Sequence, residues 1–151
     1  MKVLILSSVF PTWHPRAGKP TGFRDKFEAG EKIHTIRANA KKYFKDGDVV
    51  SIREWSGRPY GSGSKQVVIM DGVRIGVEPV VLHRIDIDAA VARNDGLSMM
   101  DFRWWFFSHH SAPMEFAGDI LHFTDFRYGE GESWMHKSNA ENAASVAATT
   151  D

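Results

Sequence analysis

A chain of 151 residues, 42% of them apolar, is the size of one domain with a single core and leaves no room for a second. Its 19 lysines and arginines balance 19 aspartates and glutamates, so net charge predicts no wholesale attraction to nucleic acid or to an acidic membrane, and any such surface must be local. The absence of cysteine excludes disulfides, thiol nucleophiles and cysteine-bound metals, in agreement with a cytoplasmic protein.

Lys2 precedes an apolar run that ends at Phe10. Ser7-Ser8 breaks the run, and Pro11-Thr12-Trp13-His14-Pro15 stands where a small-residue cleavage site would be, so the segment reads as a buried strand over residues 2–6 rather than a signal peptide. No other stretch approaches the roughly 20 apolar residues needed to cross a bilayer, and a soluble protein is expected. Residues 11–20 form a loop, because Pro11, Pro15 and Pro20 lack a backbone donor; a loop of this kind can cover a site. Thr21 caps a short helix over 22–29, with Phe23 and Phe27 on one face and Gly30 ending it at positive φ. Residues 33–38 read as extended chain.

Asp46-Gly47-Asp48 is a turn before a strand at Val49–Trp55, and a second turn cluster fills 56–64. Strands over 66–70 and 73–77 are expected to pair through an Asp71-Gly72 hairpin, with Pro79 as an interruption and 80–87 as a bent extension. Asp88 caps a helix at Ala89–Asn94, Gly96 breaks it, and Ser98-Met99-Met100-Asp101 has capping-box spacing before a helix over 102–108. Gly118-Asp119 precedes a last strand over 120–128. Beyond it the composition turns small and polar, with only Trp134, Met135 and Val146 as sizeable apolar groups, so 129–151 reads as a flexible or disordered tail able at most to start a marginal Ala-rich helix at Ser138. The domain is thus 1–128, of class α+β, with a sheet able to curl into a small barrel.

Chemistry concentrates in Gly30-Glu31-Lys32-Ile33-His34-Thr35-Ile36-Arg37. A lysine at a helix exit stabilises the helix C-terminus and a strand threonine is commonplace, so structure alone explains both Lys32 and Thr35. The chemical reading is that a lysine driven toward neutrality by desolvation or a nearby cation acts as base toward a threonine hydroxyl, with Arg37 as that cation or as the binder of an oxyanion or phosphate. Asp95 is either the centre of an Asn-Asp-Gly turn or the acidic partner, and Glu54 is the substitute acid on its strand. Lys41, Lys42, Tyr43, Lys45, Arg53, Trp55, Arg58, Tyr60 and Lys65 interleave basic and aromatic residues as single-stranded RNA binders do, the alternative being a solvated surface with Trp55 in the core. The Gly61-Ser62-Gly63-Ser64 loop lacks the Lys-Ser or Lys-Thr pair of a nucleotide-binding loop. His14, His34, His83, His109, His110, His122 and His136 show no ligand spacing, so no metal and no cofactor are expected. In the run 102–107, Phe102, Trp105 and Phe106 form a buried face and Trp104 is free for a partner.

The pattern Gly-x-Lys-x-x-Thr-x-Arg followed by Gly-Asp-Val-Val resembles the ASCH family of the PUA-like superfamily. The segments Phe44-Lys45-x-Gly47-Asp48-Val49 and Asn94-Asp95-Gly96-Leu97-Ser98 add to the likeness, which covers about 21–128. The resemblance implies a PUA-like small mixed β-barrel with flanking short helices. Family members that hydrolyse N(4)-acetylcytidine imply an amidohydrolase in which Lys32 and Thr35 are catalytic. They carry an acidic role to Asp95, which is one methylene shorter than the family's glutamate. Arg37, Arg53, Glu54 and Trp55 are the expected substrate-binding residues, and a nucleoside or single-stranded RNA the expected partner. A non-catalytic RNA-binding module, a ribonuclease and an interaction protein using the Trp104 surface stay open as alternatives.

Overall fold

The structure, a computed structural model, describes residues 1–107 and 113–129. The expectations for His109, His110, His136 and the tail beyond Gly129 lie outside the described residues. Among those described, six strands and a few short helices make an α+β fold of two three-stranded sheets. One sheet has the order β1 (Lys2–Ile5), β3 (Val49–Trp55), β4 (Gln66–Arg74), with β1 parallel to β3 and β4 antiparallel. The other has the order β2 (His34–Arg37), β6 (Glu115–His122), β5 (Gly76–His83), antiparallel throughout. No closed, hydrogen-bonded barrel is formed by the described strands.

Two features hold the sheets together. Only Ile75 separates β4 from β5, and its backbone pairs with Gly47 and Asp48 at 2.8 Å each, so the chain passes from one sheet directly into the other. At the opposite edges, an Arg37 guanidinium N–H of β2 donates to the Ile5 carbonyl of β1. The core lies between, where Leu4, Val50, Ile52, Val80, Ile120 and Leu121 are buried along with Phe102 of α3 (Met99–Phe106). Among the described residues no helix is long and apolar enough to cross a membrane.

Asp88 caps α2 as expected, whereas Gly22 takes the N-cap position of α1 expected of Thr21 and the capping box at Ser98 is only half made. Gly22, at φ 74, precedes α1 (Phe23–Glu28), Thr21 Oγ1 accepts from Phe23 N at 3.2 Å, and Gly30 follows at φ 77. Asp88 Oδ1 accepts from Ala90 N at 2.8 Å to start α2 (Ala89–Asn94). Ser98 Oγ accepts from Asp101 N at 3.1 Å, but the Asp101 carboxylate turns to Arg16 at 2.6 Å rather than completing a capping box.

Three strand expectations are corrected. Asp71-Gly72 is not a hairpin: β4 runs through it, and Gly72 (φ 74) lies where the register against β3 shifts, a β-bulge. Pro79 does not interrupt β5 but pairs with Asp119, tolerated because β5 is a sheet edge. The last strand starts at Glu115, runs through Gly118 and ends at His122, leaving 124–128 outside it. At Gly118 a Cβ would stand 2.7 Å from the Arg37 carbonyl oxygen, so the close approach of β2 to β6 requires glycine there.

Candidate active site

Two helix exits build the site. After α1 the chain turns back on itself, with Glu31 N and Lys32 N both donating to the Lys26 carbonyl, at 2.8 and 3.0 Å. Ile33 N then donates to Asn94 O at 2.9 Å, which sets Lys32 beneath the C-terminus of α2. There Lys32 Nζ donates to the Asp95 carbonyl at 2.7 Å, lies 3.4 Å from Asp95 Oδ1, and sits 4.0 Å from the Phe23 ring centroid. Gly96 follows at φ 85, and a Cβ on it would stand 3.3 Å from Lys32 Cβ. Lys32 is 1% exposed, the largest fully buried side chain among those described.

Burial pushes the Lys32 ammonium down to about 8, because desolvation outweighs the upward pull of the Asp95 carboxylate, and Arg37 and Lys26 add a smaller downward push. The lysine is thus a base available near neutral pH. Desolvation likewise pulls the Arg37 pKa down and Asp95 pulls it up, but a guanidinium stays charged.

Beside this pair opens a cleft of about 270 Å³, lined by Ser7, Pro11, Trp13, Phe23, Thr35, Ile36, Arg37, Asp95, Trp105 and Phe106. Thr35, Arg37 and Asp95 therefore share one cleft, and Lys32 lies behind it, touching two of its lining residues, Asp95 and Phe23. The 11–20 loop supplies Pro11 and Trp13 as part of the wall. It is pinned to α3: Trp13 Nε1 donates to Trp105 O at 3.1 Å. His14 Nδ1 accepts from Arg16 N at 3.0 Å, so its Nε2 carries the proton and donates to the Asp101 carbonyl at 3.0 Å. The lining thus combines the aromatic rings of Trp13, Phe23, Trp105 and Phe106 with the polar groups of Ser7, Thr35, Arg37 and Asp95.

Three expected binding residues lie elsewhere. Glu54 accepts from Arg24 at 3.1 Å, Arg53 bonds Ser51 at 2.9 Å and Gln66 at 3.1 Å, and the Trp55 ring centroid stands 4.8 Å from that of Tyr60. All three are on β3, the centre of the sheet that does not carry Thr35, and none lines the cleft. Among the described residues no group of three His, Asp or Glu side chains has the spacing to hold a metal.

Sequence reasoning missed His34. It is fully buried, its Nδ1 is 3.2 Å from Asp95 Oδ1, and its Nε2 is 2.7 Å from Tyr128 Oη. The signal was its place in the motif, two residues after Lys32 and so on the same side of extended chain. Tyr128 had none, since its approach depends on 124–128 leaving the sheet.

Comparisons with protein-family models, with curated proteins and with solved structures return no match.

The buried cluster makes stability depend on pH. Folding lowers Lys32 from 10.5 to about 8, so between these values the unfolded chain holds a proton that the folded chain has lost, and stability rises with pH across that window. The gain amounts to about 3 kcal/mol from this group. His34, lowered from 6.5 by burial, acts in the same sense, stability being lost as pH falls below 6.5. Tyr128, raised from 10.0 by burial, acts oppositely above pH 10. Urea midpoints measured between pH 7.5 and 9.5 are expected to rise, and the rise to vanish in Lys32→Met.

Proposed function

We propose that this chain is an ASCH-like hydrolase that removes the acyl group from N(4) of an acylated cytidine, with Thr35 as nucleophile, Lys32 as base and Asp95 as the acidic partner. One observation carries the reading: a fully buried lysine with its pKa brought down to about 8 is held against Asp95, at a cleft that Asp95 shares with Thr35 and Arg37. A neutral amine can take the proton of a threonine hydroxyl, which is too weak a nucleophile unaided, and in this proposal Lys32 does so from behind the cleft, next to the Asp95 and Phe23 that line it.

In this scheme Thr35 Oγ1 attacks the acyl carbon and its proton passes to Lys32 Nζ. The carbon–nitrogen bond breaks, and the cytosine amino group leaves with that proton. Water then cleaves the Thr35 ester, restoring the hydroxyl and releasing the carboxylic acid. Arg37 keeps N–H groups beyond the one donated to Ile5 and faces the cleft as a cation, suited to the oxyanion of both tetrahedral intermediates. Trp13, Trp105 and Phe106 suit the flat base, for which no cofactor or metal is invoked.

The PUA-like architecture belongs to the same proposal. It is supported by the passage of β4 into β5 through Ile75 and by the Arg37 bridge between β2 and β1, which make the two sheets read as halves of one small mixed barrel, opened at a side-chain seam and flanked by short helices. Work in the cytoplasm is the setting that fits a chain without cysteine.

A second reading has its own observation. Tyr60 is 89% exposed and its ring packs at a tilt against that of Trp55, in a stretch of chain that also carries Arg58 and Lys65, a patch suited to single-stranded RNA without catalysis. Purified protein incubated with N(4)-acetylcytidine separates the two. Cytidine release that disappears in Thr35→Ala is expected. No release at high protein concentration, together with salt-dependent RNA affinity that survives Thr35→Ala, would replace the hydrolase reading with the binding module.

A further inference from the structure

A hydrogen-bonded chain drawn from separate parts of the fold runs from half-buried Asn94 and Tyr128 to fully buried His34 and on to Asp95. Asn94 Nδ2, at the end of α2, donates to Tyr128 Oη at 3.0 Å. The hydroxyl proton is then directed to His34 Nε2, 2.7 Å away. An imidazole that accepts at Nε2 and stays neutral must carry its proton on Nδ1, which faces Asp95 Oδ1 at 3.2 Å. Neutrality follows from burial, which drives the His34 pKa down, with Lys32 and His122 opposing its charge and Asp95 favouring it. Tyr128 is itself fixed, because Glu78 accepts from Tyr128 N at 3.2 Å and Gly129 N at 3.1 Å, and the same carboxylate holds His122 Nε2 at 2.7 Å. The His122 ring in turn stands edge-on to His34, with centroids 5.5 Å apart.

The same oxygen, Asp95 Oδ1, is approached by His34 Nδ1 at 3.2 Å and by Lys32 Nζ at 3.4 Å. An N–H donor on a carboxylate oxygen disperses the charge that would otherwise hold a proton on the neighbouring amine. We infer that His34, its tautomer set by Tyr128 and Asn94, is a positioning residue: by donating to Asp95 Oδ1 it withholds that oxygen's full charge from Lys32 and keeps the lysine a usable base.

The inference rests on the reading of Lys32 as the base, but its test does not require turnover. The charged and titratable groups around Lys32 are Asp95 from the α2 exit, Arg37 and His34 from β2 and Lys26 from α1, while His34 also faces Tyr128 and His122; none of these except His34 is altered in the decisive pair. His34→Gln moves the amide toward the Nε2 end and loses the donor to Asp95. His34→Asn keeps an N–H near the Nδ1 position.

NMR titration of the lysine side chains, with Lys32 assigned through Lys32→Met, reads the effect directly. Lys32 is expected to titrate at about 8 in the parent, about one pH unit higher in His34→Gln, and near the parent value in His34→Asn. Identical Lys32 titration in all three folded proteins would overturn the inference. If His34→Gln does not fold, Tyr128→Phe takes its place, since loss of the hydroxyl weakens the same donation and shifts Lys32 in the same direction; an unmoved Lys32 there overturns it equally. Cytidine release measured alongside keeps the two proposals apart, because failure of turnover with a shifted Lys32 condemns the substrate and not the positioning role of His34.

Discussion

Lys32→Met is expected to lower cytidine release from N(4)-acetylcytidine by about a thousandfold or more, the scale on which a general base and an activated nucleophile act together. Methionine fills much of the space left by a side chain 1% exposed, so the cleft keeps its walls while the titrating amine is gone. The bland alternative is that Lys32 exists to cap α2, since its Nζ donates to the Asp95 carbonyl at 2.7 Å and Lys26 Nζ does the same to Gly96 O at 2.7 Å. The two readings diverge in measurement. Steady-state kinetics beside a thermal melt would reveal lost stability with activity scaled only to the folded fraction if Lys32 is merely a cap, and a cooperatively folded, inactive protein if it is the base.

Asp95→Ala is expected to destabilise the fold by about 3–5 kcal/mol near neutral pH, the cost of removing one partner from a buried ion pair. Asp95 is 4% exposed, and without it both Lys32 Nζ and His34 Nδ1 lose a carboxylate oxygen. Were Asp95 only the middle of an exposed Asn-Asp-Gly turn, the same change would fall within about 0.5 kcal/mol of the parent. The loss is expected to shrink above pH 8, as Lys32 becomes neutral and no longer needs its partner. Urea denaturation at two pH values checks both statements.

Local rules carried the reading of elements whose ends are set locally. Val49–Trp55 and the Asp88-capped α2 follow from turn and cap chemistry within a few residues of each boundary. Asp71-Gly72 misled because the same dipeptide serves a hairpin or a glycine bulge, and only the partner strand β3 decides between them. Motif spacing singled out Lys32, Thr35, Arg37 and Asp95, and the fold lines one cleft with the last three and sets Lys32 behind it against Asp95. It did not separate them from Arg53, Glu54 and Trp55, which lie away from this cleft on β3, since nothing within a strand's own sequence tells which of two sheets it will join. The burial of Asp95, the Trp13 wall from the 11–20 loop and the approach of Tyr128 to His34 arise from contacts across 61 to 94 positions of sequence, beyond any local pattern.

The pH dependence of cytidine release tests the central claim most directly. If a desolvated Lys32 is the base for Thr35, the rate rises as pH climbs through about 8, tracking the Lys32 titration, and the limb is absent from the residual activity of Lys32→Met. Release that is independent of pH between 6.5 and 9.5, or that keeps the same limb in Lys32→Met, would contradict it.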